Sequence, residues 1–175
     1  AIHEQMQNQV DPSTIRIIGL GVCGSGRQIA GLHALTEGVI NEIIAHATAA
    51  VYFDPKVDTI FEIGGQDSKY IRISNGVIID FEMNKVCAAG TGSFLEEQAD
   101  KLGINIEEEF GKLGLKSEMP ARLGERCTVF MESDLNTKQQ QGISKENLIA
   151  GLSYSIVYNY LNRVVRDKSV GNKIF

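Results

Sequence analysis

Excess basic charge is what this sequence lacks. Its 175 residues carry 17 Lys and Arg against 22 Asp and Glu, a net charge of −5. Nucleic acids and anionic membrane surfaces select for clustered cations, so neither is the expected main partner. Long apolar runs are missing too. A membrane-spanning helix needs roughly 18 consecutive apolar residues, and no stretch approaches that. The chain holds 3 cysteines, an odd number with no Cys-x-x-Cys pair. That speaks against both a secreted disulfide scaffold and a zinc ribbon. Internal repeats, low-complexity tracts and charge blocks are also absent. The expectation that remains is a globular, cytoplasmic protein whose 43% hydrophobic residues supply a core.

Thr14 to Leu20, with Ile15, Ile17 and Ile18, reads as a buried strand leading into the glycine-rich run Gly19 to Arg27. Ile40, Ile43, Ile44, Ala47 and Val51 then recur at helical spacing, and Pro55 closes that helix. Thr59 to Ile63, Lys69 to Ile73 and Val77 to Glu82 are three β-rich runs. Asn75-Gly76 between the last two is a strong hairpin signal, and Gly64-Gly65-Gln66-Asp67 separates the first two. A three-stranded meander follows. Cys87-Ala-Ala-Gly-Thr-Gly92 opens a helix carrying Leu95, Ala99 and Leu102, with Gly103 as its stop. A shorter helix is expected over Ile106 to Leu115. Cys127 to Met131 is a compact apolar run. Ser144 caps a long helix bearing Ile149, Leu152, Ile156, Tyr160 and Val164. Strands feeding helices in this way predict an α/β domain. Ala1 opens in a helix-like stretch, and Asn172 to Phe175 reads as the start of an apolar strand. Both ends are therefore expected to be cut edges of a longer protein.

Three glycine loops suggest anion binding, because glycine lets backbone N–H groups approach a phosphate closely. None is a Walker loop, since Gly24-Ser-Gly-Arg27 lacks the Gly-Lys-Ser/Thr ending. The Gly64 to Asp67 turn is the most informative. Its glycines can expose amides to a phosphate, Gln66 can orient a water, and Asp67 can hold magnesium. An ordinary β-turn with Asp67 capping its own backbone is the alternative. Cys87 and Cys127 each stand beside an expected element start. Buried free cysteines are ordinary packing groups, but a helix N-terminus beside Cys87 favours a thiolate or an anionic cluster. Two thiolates cannot complete a four-cysteine iron–sulfur site, whereas a twofold dimer would supply four. Cys23 reads as structural, His46 as a surface or partly packed residue, and His3 and His33 have no partner at metal spacing.

Phe61-Glu-Ile-Gly-Gly-Gln-Asp-Ser-Lys-Tyr70, Asn84-Lys-Val-Cys-Ala-Ala-Gly-Thr-Gly-Ser-Phe94 and Cys127-Thr-Val-Phe-Met-Glu-Ser133 together closely resemble one family. It is the BadF/BadG/BcrA/BcrD-type ATPase family of 2-hydroxyacyl-CoA dehydratase activators and benzoyl-CoA reductase ATPase subunits. The resemblance implies the two-lobed α/β fold of the actin, sugar-kinase and heat-shock ATPase superfamily, ribonuclease H-like in core. Residues 1–56 would be a remnant of the first lobe with its linking helix, which holds Glu42 and His46, and 57–175 the second lobe. Gly64, Gly65, Gln66 and Asp67 would form the second phosphate loop for ATP or ADP, with Gln66 and Asp67 catalytic and Asp67 on Mg2+. Gly90, Thr91 and Gly92 would shape the loop that presents Cys87, near phosphate. Cys87 and Cys127 would hold a 4Fe-4S cluster bridging two chains of a homodimer. Such a protein would take an electron from ferredoxin or flavodoxin and pass it, driven by ATP, to a 2-hydroxyacyl-CoA dehydratase or related CoA-ester enzyme of anaerobic metabolism. The family's Asp-x-Gly first phosphate loop and its adenosine-binding Gly-Gly segment are not found in the chain. By itself the chain is then expected to hold a partial nucleotide site without ATPase activity. Relatives more often have Thr where Cys23 stands. A cluster-free module of the same fold, kinase-like or a non-catalytic scaffold, is the alternative.

Overall fold

A computed structural model describes residues 11, 14, 16–84, 91–124 and 128–175, apart from the side chains of 128 and 129. The chain divides into two compact units, 1–49 and 50–175. In the first, strand β1 (Gly21–Val22) pairs in parallel with β2 (Gly38–Val39), and helix α1 (Arg27–Ala34) joins them. Close approach fixes that packing, since a Cβ on Gly31 would lie 2.7 Å from Val39 Cγ2. Thr36 Oγ1 donates to the Leu20 carbonyl at 2.6 Å and accepts from Gly38 N at 3.1 Å.

The buried strand expected over Thr14 to Leu20 does not form. Residues 16–20 take no regular structure, and Ile17, Ile18 and Leu20 are exposed. An apolar run becomes a buried strand only where neighbouring strands take up its backbone groups. Among the described residues the one neighbour available is β2, which is two residues long and pairs with Gly21 and Val22. Conversely, α1 is a helix beyond the sequence-based expectations; Ile29, Leu32 and Leu35 recur three residues apart, but all three are exposed, so its apolar stripe is not packed into a core.

Helix α2 (Glu42–Phe53), within which the division between the units falls, stops short of Pro55. Asn41 Oδ1 accepts from Ile43 N at 2.9 Å at its start. Ala47 and Ala50 are buried, whereas Ile40 and Ile44 remain exposed, so the expected apolar face is only partly used.

The second unit opens with the meander: β3 (Thr59–Ile63), β4 (Ser68–Ser74) and β5 (Val77–Met83), antiparallel in the order β3-β4-β5. Asn75 and Gly76 adopt φ of 51° and 77°, the paired positive values of a two-residue primed turn. Successive side chains alternate between the two faces of the sheet. On one face Phe61 and Tyr70 pack against Tyr160, Val164 and Val165. Tyr160 Oη donates to the Lys69 carbonyl at 2.8 Å. Burial, and after it the charge of Glu62, push the Tyr160 hydroxyl well above the ordinary tyrosine range.

Beyond the sheet come α3 (Gly92–Lys101), a π-helical turn (Ile106–Phe110), α4 (Gly111–Gly114), α5 (Thr128–Gln140), α6 (Lys145–Tyr160) and a second π-helical turn (Leu161–Val165). Gly103, at φ 65°, follows the end of α3 as a left-handed stop. Ser144 Oγ accepts from Asn147 N at the start of α6. The helices share one core built on Phe94, Ala99, Met131, Leu135, Leu148, Ile149, Leu152 and Ile156. Burying each of its larger aliphatic side chains contributes about 1.5–3 kcal/mol. No helix among the described residues is long and apolar enough to cross a membrane.

The last residues return to the sheet. Ile174 bridges Thr59 in parallel, Phe61 N donates to Phe175 O at 3.1 Å and Phe175 N to Thr59 O at 3.0 Å. Asp58 anchors this return by accepting from the amides of Asn172 at 2.9 Å and Lys173 at 3.3 Å, with the Arg72 guanidinium 2.9 Å away. Partial burial works to raise the Asp58 pKa, but these bonds and one from the Thr59 hydroxyl outweigh it and hold the carboxyl below its usual value.

Candidate phosphate-binding site

Ile63 pairs with Ser68, so Gly64 to Asp67 form the four-residue connection between β3 and β4. Gly64 N donates to Asp67 O at 2.9 Å and closes the turn. Both glycine carbonyls are then taken by the start of α3: Gly92 N donates to Gly64 O at 2.8 Å and Ser93 N to Gly65 O at 3.0 Å. Among the described residues the N–H groups of Gly65, Gln66 and Asp67 donate to nothing, and Gly65 and Gln66 are exposed. A peptide plane whose carbonyl is committed to one side presents the N–H of the next residue to the other. Three successive unpaired amides in an exposed turn form a concave donor set that suits a phosphate group.

The two glycines are needed for different reasons. Neither takes a left-handed φ. A Cβ on Gly64 would lie 2.7 Å from Glu62 Oε1 and 2.9 Å from the Asp67 carbonyl oxygen. A Cβ on Gly65 would meet no atom of the described residues within 4 Å, so nothing among them demands glycine there. Close approach of a ligand from outside does.

Asp67 does not stand alone. The Lys69 ammonium bonds to Asp67 Oδ1 and lies 3.0 Å from Glu62 Oε2. Lys69 is only 2% exposed, against 18% for Glu62 and 33% for Asp67. The arrangement follows from strand geometry: Glu62 and Lys69 face each other across the β3–β4 ladder, and Asp67 lies two residues before Lys69 on the same face. Asp67 is legible in the sequence as an acid in a glycine turn, whereas the pairing of Glu62 with Lys69 is fixed by the observed register. As an oxygen donor for magnesium Asp67 fits, being partly exposed with Oδ2 unbonded among the described residues.

Of the second loop's expected residues, Thr91 is fully buried as the N-cap of α3, and the Gly92 amide is committed to Gly64. The Gly92 amide braces the glycine turn. Gly90, Cys87 and Cys127 lie outside the described residues. Asn84 exchanges bonds with Ser68, through its N–H at 3.1 Å and its Oδ1 at 2.9 Å. The described residues on either side of 85–90 are thus bonded to this hairpin, Asn84 to β4 and Gly92 and Ser93 to the glycine turn. Cys127 directly precedes α5. Cys23 is exposed and free, and His46 sits 3.8 Å from Glu42. The run Gly19 to Gly24 has the glycine spacing of a dinucleotide loop, but β1 lies within it at Gly21–Val22 and not ahead of it, so the strand–turn–helix context is missing.

A glycine hairpin on an antiparallel sheet, braced by a helix N-terminus and with unpaired amides among the described residues, has the donor geometry that suits a phosphate group. The BadF/BadG/BcrA/BcrD ATPase family matches residues 1–175, and the chain belongs to it. It is 37% identical over 150 residues, 84% of its length, to the (R)-2-hydroxyglutaryl-CoA dehydratase activating ATPase of Acidaminococcus fermentans, of which it covers 56%. Over 118 residues it is 40% identical to the activator of lactoyl-CoA dehydratase of Anaerotignum propionicum, matching 67% of this chain and 45% of that one. The solved activator of 2-hydroxyisocaproyl-CoA dehydratase from Clostridium difficile, with bound ADPNP, superimposes with a TM-score of 0.86 at 27% identity, over 99% of this chain and 63% of that one. The fold is accordingly the actin-like ATPase fold of the dehydratase activators. The chain spans about half the length of the curated relatives it matches.

Proposed function

We propose that this chain carries the phosphate-binding lobe, residues 57–175, of an ATP-dependent activator of a 2-hydroxyacyl-CoA dehydratase or a related CoA-ester enzyme. In this reading the amides of Gly65, Gln66 and Asp67 receive a phosphate of ATP or ADP, Gln66 orients the attacking water, and Asp67 binds Mg2+ directly or through its water shell. Cys87 and Cys127 of two chains hold one 4Fe-4S cluster. When bound, that cluster supplies a low-potential electron, received from ferredoxin or flavodoxin, for the dehydratase.

The observation that supports the reading is that the described residues flanking 85–90 are bonded to the glycine hairpin, at Ser68–Asn84 on one side and at Gly64–Gly92 and Gly65–Ser93 on the other. A phosphate seated on the hairpin amides pulls on the same peptide planes whose carbonyls hold α3. Nucleotide state is thereby transmitted to the cysteine segment through hydrogen bonds a few residues long.

Anaerobic iron–sulfur reconstitution of the full-length protein tests this, with iron and mass determined together for the wild type, Cys87→Ser and Cys127→Ser. About two irons per chain in a dimer, lost in both variants, are expected for one bridging four-iron cluster. Absence of iron from the wild type would favour a cluster-free module of the same fold.

A further inference from the structure

Two helices of the second unit carry a carboxamide where their spacing calls for an apolar side chain. On α3, Gln98 stands one turn after Phe94 and one turn before Leu102, and it is fully buried. On α6, Asn159 follows Leu152 and Ile156 on the buried side and is only 2% exposed. Among the described residues, the buried side-chain nitrogen and oxygen atoms with no hydrogen-bond partner are Gln98 Nε2, Gln98 Oε1 and Asn159 Oδ1. Asn159 Nδ2 donates to the thioether sulfur of Met131 at 3.6 Å, a weak acceptor. We propose that these two amides hold the core shared by α3, α5 and α6 in a strained packing, and that a local opening of the first turns of α5 releases the strain.

The argument starts from desolvation. A buried amide without a partner gives up its bonds to water and gains none in return, which lowers the folding equilibrium about tenfold or more per side chain. A rearrangement that admits water, or turns a backbone group toward the amide, recovers that factor. The element best placed to yield is α5. Met131, which receives Asn159, lies in its first turns and has an unbranched, adaptable side chain. The neighbouring Glu132 ties α5 to α3 through Lys101 Nζ at 2.6 Å, but both partners are more than a third exposed, and such a pair adds little. Asp134 adds one long bond, accepting from Gly124 N at 3.4 Å. The flanking helices are anchored more firmly. The start of α3 bonds to the glycine turn through Gly92 and Ser93, and the end of α6 bonds to β4 through Tyr160 Oη at 2.8 Å from the Lys69 carbonyl. Segments with few such anchors open at a fraction of the global unfolding free energy.

Urea unfolding and native-state hydrogen exchange of the full-length protein test this. Gln98→Met and Asn159→Leu nearly keep the volume of each side chain and remove its orphaned polar atoms. Each should raise the folding equilibrium constant about tenfold, read as a higher midpoint with an unchanged slope. In the wild type, the amides of residues 132–135, the first to bond within α5, should exchange faster than those of β4. In each variant they should slow by about tenfold, while the amides of α1, in the other unit, keep their wild-type rates. A midpoint at or below that of the wild type would overturn the strain. Wild-type α5 amides as slow as those of β4, or α5 amides unchanged in a variant whose midpoint rises, would overturn the local opening. Should Asn159→Leu fail to fold, Gln98→Met decides by the same two readouts.

Discussion

The turn at Asn75–Gly76 and the turn at Gly64–Asp67 both feed the middle strand of one meander, yet different forces hold them. The first is local. Two residues suited to positive φ close it, at 51° and 77°, and the twist they impose matches the strands on either side. The second has no left-handed residue and is held from a distance, by the amides of Gly92 and Ser93 and by the charge pattern on Lys69. A turn that the chain can make by itself needs no such support. The extra scaffolding leaves three amides without a partner among the described residues, and donors fixed in place and open to solvent can take an anion with little further ordering. The difference between the two turns is therefore the clearest sign of function in the molecule.

Substitutions sharpen that comparison. Gly64→Ala should have the largest effect on stability. Glu62 could swing away from the new methyl group only by giving up Lys69, and the Asp67 carbonyl at 2.9 Å is backbone that cannot retreat without opening the turn. A loss of about 2 kcal/mol is expected for this overpacking, read as a lower midpoint in urea with an unchanged slope. A midpoint equal to wild type would mean that the turn is looser than its hydrogen bonds imply. Gly76→Ala should cost less, about 1 kcal/mol, because the methyl meets no atom within 4 Å and only the left-handed φ is strained. Nucleotide binding should be unaffected there, since this turn joins the opposite end of β4. A loss of binding in Gly76→Ala would erase the distinction between the two turns.

What the sequence made legible follows the same division between local and distant causes. The meander, the helix ended by Gly103 and the helix begun at Ser144 could all be read because period and punctuation are local signals, and the glycine loop announced itself in the same way. Thr14 to Leu20 looked like a buried strand because apolar β-branched residues carry strand propensity wherever they stand. Whether they pair depends on neighbours that composition does not reveal. Helix α1 begins at the end of the glycine-rich run, and its apolar residues Ile29, Leu32 and Leu35 are exposed and not packed into a core. At the site, Asp67 was legible as an acid in a glycine turn. Its attachment to Lys69, the opposition of Glu62, and the clasp of α3 on the two glycine carbonyls each join residues from different elements, and they emerge only once register and packing are fixed.

Gly65 carries the smallest expected change in stability and bears most directly on function. Its φ lies outside the left-handed region, and a Cβ there meets no protein atom within 4 Å. Alanine should fit the folded state while restricting the unfolded one, raising stability by about 0.5 kcal/mol. If the exposed amides of Gly65, Gln66 and Asp67 receive a phosphate, the same methyl group stands at the mouth of the donor set and holds the anion off. Affinity for a fluorescent ADP analogue should then fall by about tenfold or more, the worth of a hydrogen bond to a charged group. Gly64→Ala would weaken binding as well, but through the fold, and its loss should scale with its loss of stability. Gly65→Ala alone should separate the two readouts, stability holding or rising while binding drops. If both hold, the glycine serves neither the fold nor a ligand, and the unpaired amides are merely solvated. If binding falls while the urea midpoint does not, the second turn is a binding device that the first turn, made of the same residue type, is not.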